Sequence, residues 1–106
     1  MTLIEVATTI GNVLTHLDTM LQTPGLSDPD WQTLYALRKH LDDQQRDLIG
    51  ESINESDAEF QTLTTQMKSA AADLAKTVAD LAKVNKVIGI VSQVASYADK
   101  ILDKVA

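Results

Sequence analysis

Two histidines, His16 and His40, and a crowd of carboxylates between Asp42 and Glu59 are the residues of this 106-residue chain with the most obvious chemical potential. A metal centre inside a helical bundle draws its ligands from adjacent turns, often as a Glu-x-x-His pair. Neither histidine has a second histidine three or four residues away, and neither belongs to such a pair. The acids Asp42, Asp43, Asp47, Glu51, Glu55, Asp57 and Glu59 face one base, Arg46, but lack the alternating ligands, central glycine and closing glutamate of a calcium loop. Helix caps and a solvated loop account for several of them. The remaining reading is an acidic interaction face, Asp42, Asp43, Asp47, Glu51 and Glu55, suited to a basic partner.

Other chemistry finds little to start from. The chain has no cysteine, which removes disulfides, thiolate metal sites and a cysteine nucleophile. Gly11, Gly25, Gly50 and Gly89 are isolated, so no glycine-rich loop cradles a phosphate, and the serines and threonines fall mainly at caps or on polar faces. No nucleophile with its base and oxyanion donors can be assembled. The expectation is a protein that is not an enzyme and uses neither cofactor nor metal.

The formal charge of −6 is unevenly spread: residues 1–67 carry eleven acids and three bases, whereas 68–106 carry six lysines and four acids. The acidic part would repel phosphates, and the lysines interleave with Asp73, Asp80, Asp99 and Asp103 instead of forming a basic stripe, so no nucleic acid partner is expected. The first residues lack the basic start and apolar run of a signal peptide, and no stretch of about 18 uncharged apolar residues could span a bilayer. A soluble, cytoplasmic protein is the expectation.

What must position any site is a set of helices. Apolar residues make up 44% of the chain but aromatics only 4%, so aliphatic side chains must fill a single core, as suits helix-on-helix packing. A first helix over about 3–22 opens at Thr2 with Glu5 three residues on, a capping box, and buries Leu3, Val6, Ile10, Val13, Leu17 and Met20. Thr23-Pro24-Gly25 ends it. A second, about 28–49, opens at Ser27 with Pro29 in its first turn, while Leu26 and Trp31 occupy the positions of a hydrophobic staple. Its stripe runs through Leu34, Leu37, Leu41 and Leu48, interrupted by Gln44 and Gln45. Gly50 stops it, and Ile53 is the only apolar anchor of the polar connection that follows.

Ser56 with Glu59 reads as a third capping box, opening a heptad-patterned segment over 57–105. Its seam runs from Phe60 through Leu63, Met67, Ala70, Leu74, Leu81, Val84, Ile88 and Val91 to Leu102, with Thr77 the one polar exception. The segment reads either as one continuous helix, roughly 73 Å long at 1.5 Å per residue, or as two helices with a break at 84–87. Gly89, in the middle of an apolar run, costs about 1 kcal/mol relative to alanine in a helix and would permit a close backbone approach or a bend.

The fold class is therefore all-α: an antiparallel bundle of three or four helices in a single domain, 1–106. Beyond Val84 the apolar arc widens past half the helix circumference, which calls for partners on several sides. Val87, Ile88, Ile90, Val91, Val94, Tyr97 and Ile101 are accordingly the candidate residues for oligomerisation or partner binding, and Ile88→Asp should disrupt folding or assembly where Lys76→Asp should not. Function is read as a protein–protein interaction module, such as an adaptor, inhibitor, chaperone or immunity-type protein. It would work through self-association as a homo-oligomer or through another protein's helices. The alternative is a membrane-active or lipid-binding bundle using the amphipathic segment 84–106.

Overall fold

In the computed structural model, which describes residues 2–51, 53–77 and 80–104, four α-helices account for the chain: α1 (Leu3–Leu21), α2 (Asp28–Leu48), α3 (Ala58–Ala75) and α4 (Val84–Leu102), with a single 3-10 turn over Leu81–Lys83 before α4. The all-α bundle expected from the apolar periodicity is the fold observed. The C-terminal segment is not one rod: the molecule's longest extent is 44 Å, too short for a continuous helix of that length.

α3 ends at Ala75 and α4 begins at Val84, so the break comes earlier than the 84–87 expected from the sequence. Thr77, the polar exception in the seam, lies just beyond the end of α3. Thr77 is 2% exposed, and both its amide and its hydroxyl donate to the Leu74 carbonyl, closing the last turn of α3. Asp80 then caps the 3-10 turn by accepting from the Ala82 amide. The chain reverses against the α1–α2 loop, where Gly25 has φ +92 and a methyl group on its Cα would meet Leu81 Cδ1 at 2.9 Å. Glycine is required there twice over, by backbone conformation and by space.

The other caps follow local chemistry. Thr2 accepts from the Glu5 amide and Ser27 from the Asp30 amide, as their spacing predicts. At the start of α3 the cap is Asp57, which accepts from the Phe60 amide, and not Ser56; the carboxylate also suits the positive end of the helix dipole. Ile53 packs against the core as expected.

The helices alternate in direction, but their spatial order is α1, α2, α4, α3 around the bundle. Two cross-links fix this arrangement. Glu55 Oε2 accepts from the Leu3 amide at 2.6 Å, holding the starts of α1 and α3 at the same end. Lys104 bridges Asp57 at 3.3 Å and Glu59 at 3.0 Å, tying the end of α4 to the start of α3. The core is continuous from Leu3 and Phe60 at that end to Met20, Leu34 and Leu74, and includes Val87, Val91, Val94, Ala98 and Ile101 of α4.

Candidate partner-binding surface

The widened apolar arc of α4 is consumed inside the chain. Val87, Ile90, Val91, Val94 and Ile101 are buried between α2 and α3, and Ile88 and Tyr97 are half-buried against the same core. Two neighbours from the same chain thus supply the several partners that the arc demands. The inward centre of α4 runs through Val87, Val91, Val94, Ala98 and Ile101, leaving Ile88, Leu102 and Val84 at its margin. Gly89 is exposed, and a methyl group on it would meet no neighbouring atom within 4 Å, so no close approach depends on it.

The acidic candidates divide. Asp42 and Asp43 both accept from Arg46, at 2.7 and 2.9 Å, and Glu55 is occupied at the start of α1. Asp47 and Glu51 are exposed, and no ion pair among the described residues involves either of them.

The glutamines that interrupt the α2 stripe are fastenings to its two neighbours. Gln44 is 2% exposed and its Nε2 donates to the Ala95 carbonyl at 3.0 Å and to Asp99 Oδ1 at 2.6 Å, which joins α2 to α4. Gln45 Nε2 donates to the Ala7 carbonyl at 2.9 Å, which joins α2 to α1. Gly11 makes room for it, since a methyl group there would approach Gln45 Nε2 to 3.0 Å. Two turns away, Arg38 holds Asp18 across the same seam through both of its carboxylate oxygens.

Of the histidines, His40 is exposed with Nε2 at 3.6 Å from Asp99 Oδ1. His16 lines a shallow groove of about 360 Å³ between α1 and α3, together with Thr9, Asn12, Thr15 and Lys68 over a floor of Ala71, Ala72 and Ala75. The hydroxyls of Thr9 and Thr15 donate to the carbonyls of Glu5 and Gly11. Among the described residues, no group of three or more His, Asp or Glu side chains is placed to hold a metal ion, and no helix is long and apolar enough to cross a membrane.

The surface the sequence did not single out lies on the opposite side of the bundle. Among the described residues, the four exposed large apolar side chains belong to α1, α2 or the residue that ends α2: Ile4 is 80% exposed, Ile49 66%, Tyr35 49% and Trp31 40%. Ile4 sits beside Ile49 across a groove of about 470 Å³ whose lining includes Leu3, Ala7, Gln45 and Leu48. Ile49 is turned outward because α2 stops there: its backbone becomes extended, and Gly50 follows at φ +85. Trp31 stacks on Tyr35, one turn along, with ring centroids 5.0 Å apart and planes 8° from parallel, in place of entering the core as a staple. Trp31 and Ile49 are 18 residues apart, which is five turns, so both lie on the same side of α2. Arg38 and Gln45 on that side reach α1, which identifies it as the outer edge of the α1–α2 seam.

This surface had a sequence signal. Ile4 falls outside the α1 stripe, and Ile49 and Tyr35 fall outside the α2 stripe; an apolar residue off the stripe is one that folding does not explain. No family model matches the chain, and no curated protein or solved structure was found to resemble it.

Proposed function

We propose that this protein is a small helical interaction module that binds another protein through the outer face of α1 and α2. The observation that carries this reading is that the exposed large apolar side chains among the described residues are segregated to that one face. Scattered exposed apolar residues are ordinary, whereas a set confined to one face and rich in aromatics has the composition of an interface. Self-association through α4, by contrast, would require core residues such as Val91 and Val94 to leave the bundle. Insertion of α4 into a lipid surface would meet the same obstacle.

The reading is tested by placing a photo-crosslinking amino acid at position 49 in the producing cells, with position 72 on the exposed side of α3 as the control. Discrete adducts with one or a few proteins are expected from position 49, absent from position 72 and lost when Ile4→Asp is added. Equal labelling from both positions, or none from position 49, would overturn the proposal.

A further inference from the structure

The two apolar ends of the α1–α2 face are separated along α2 by 18 residues, roughly 27 Å at 1.5 Å per residue. Ile4 and Ile49 form one end, and Trp31 with Tyr35 the other. Between them the seam is closed by side chains that already have partners: Gln45 on Ala7, Arg38 on Asp18, and Arg46 on Asp42 and Asp43. The α1 side of this middle stretch is low, being made of Ala7, Thr8 and Gly11. A straight rod can therefore rest along the seam and press on both ends.

Each apolar end has a carboxylate beside it. Asp28 lies about one helical turn before Trp31, and Glu51 lines the groove shared by Ile4 and Ile49. No ion pair among the described residues involves either of them. Residues 1–57 carry ten acids and three bases, and two of those bases, Arg38 and Arg46, are already held by Asp18, Asp42 and Asp43. A second copy of this chain would bring acid to acid on the same face, and an anionic membrane or nucleic acid would be repelled in the same way.

We infer that the occupant of the α1–α2 seam is a basic amphipathic helix of about five turns, supplied by another protein and lying along the bundle as a fifth helix. Its apolar side chains fall into two groups, one on Ile4 and Ile49 and one on the Trp31–Tyr35 stack, each flanked by lysine or arginine. This is helix-in-groove recognition with the anchors displaced to the ends of the groove. Tryptophan and tyrosine provide the large, stiff contact surface typical of binding hot spots, while the carboxylates speed encounter and set the register. The inference rests on the reading of the chain as an interaction module, and adds the chemistry and orientation of what it binds.

Trp31 is the only tryptophan, so its fluorescence reports one end of the seam directly. The probe is a tryptophan-free peptide of about 22 residues, with leucines at both ends of one face, lysine and arginine beside them, and alanine and glutamine elsewhere. Binding with a blue-shifted Trp31 emission is expected, and amide NMR shifts should move at both ends of the seam. Ile49→Asp, read through Trp31, and Trp31→Ala, read by calorimetry, should each weaken binding by about tenfold or more. A peptide of the same composition in scrambled order, and one with glutamate for every base, should bind at least about tenfold more weakly. Because Ile49 and Trp31 lie outside the core, circular dichroism should show both variants folded.

Equal binding of the scrambled peptide, or NMR shifts confined to α3 and α4, would overturn the inference. So would a dimer that Ile49→Asp dissociates, or a Trp31 shift produced by anionic vesicles and not by the peptide. Crosslinking from position 49 to a protein, combined with no binding of the basic peptide, would remove the basic helix while leaving the interaction module standing. Failure of both would remove both.

Discussion

The two halves of the bundle spend their apolar residues differently. In α3 and α4 the large apolar side chains from Phe60 to Leu102 are buried or half-buried, and the outward positions are lysine, aspartate, serine, threonine, asparagine, glutamine, alanine and glycine. In α1 and α2 the core positions are equally well filled, yet Ile4, Trp31, Tyr35 and Ile49 remain outside. The demands of a single hydrophobic core explain the first half completely and leave four residues of the second unexplained. Under the proposed function, stability and recognition are separated in space, which makes the contrast open to experiment.

The largest effect expected is Val94→Asp. Val94 is fully buried beside α2 and α3, and an unpaired carboxylate in that place should remove more than about 4 kcal/mol, enough to unfold a domain of this size. Ile49→Asp, on the other half, should change stability by about 0.5 kcal/mol or less. Urea midpoints measured side by side would decide the matter, and similar losses for the two would erase the distinction between the halves. Ile88→Asp, at the margin of the α4 core, should fall between them, and Lys76→Asp, on an exposed residue, should resemble Ile49→Asp.

Next come the two glycines in left-handed conformation. Gly50→Ala meets no atom and should cost about 1–2 kcal/mol for backbone strain alone. Gly25→Ala carries the same strain and also pushes Leu81 from its seat beside the α1–α2 loop, so its thermal midpoint should drop further. The comparison isolates how much the junction between the halves depends on that one contact. If the midpoints are equal, Leu81 yields freely and the junction is soft.

Much of this architecture can be read from residue types, and the parts that resist have identifiable causes. Thr2 and Ser27 announce their helices because a hydroxyl three residues before a free amide has one obvious use. Thr77 and Asp80 lie at the junction between α3 and α4, but a polar seam residue and a capping aspartate are quieter signals than proline or glycine, and the apolar phase continues across them. At Ser56-Asp57 two adjacent residues can both cap, and the carboxylate takes the role. The facing of α4 was ambiguous because more than half its circumference is apolar, and only the spatial order α1, α2, α4, α3 decides which arc points inward. That order is a long-range property, expressed through Gln44, Glu55 and Lys104. The exposed apolar face proposed for binding is hard to read in the sequence for the opposite reason: its residues are few and scattered in the chain, and only folding assembles them.

Gln44 tests the joint between α2 and α4. Gln44→Ala should cost about 1–3 kcal/mol, since it opens a cavity and leaves the Asp99 carboxylate without its buried donor. Gln44→Leu should cost less, because it fills the space and also removes Oε1, which is buried with no partner. Leucine costing as much as alanine would show that the hydrogen bonds, and not the packing, hold α2 on α4.

The smallest effect expected lies at the opposite corner of the bundle, where Lys104 meets Asp57 and Glu59. The Asp57 carboxyl is held below its ordinary range, first by the Phe60 amide and further by Lys104. Lys104 is held above its ordinary value, chiefly by hydrogen bonding to Glu59 and then by Asp57. A depressed carboxylate stabilises the fold above its unfolded pKa and ceases to do so as pH falls through the lower folded value; a raised lysine stabilises below its unfolded pKa and ceases to do so as pH rises through the higher folded one. Lys104→Met should therefore separate from the parent protein most clearly between about pH 5 and pH 10. In urea titrations the two curves should converge at both extremes, and the gap should narrow with added salt because these groups are solvated. A gap that persists unchanged into strong acid would mean that Lys104 contributes through its hydrocarbon stem against the end of α3, and that this corner of the bundle, like the α3–α4 core behind it, is fastened by packing alone.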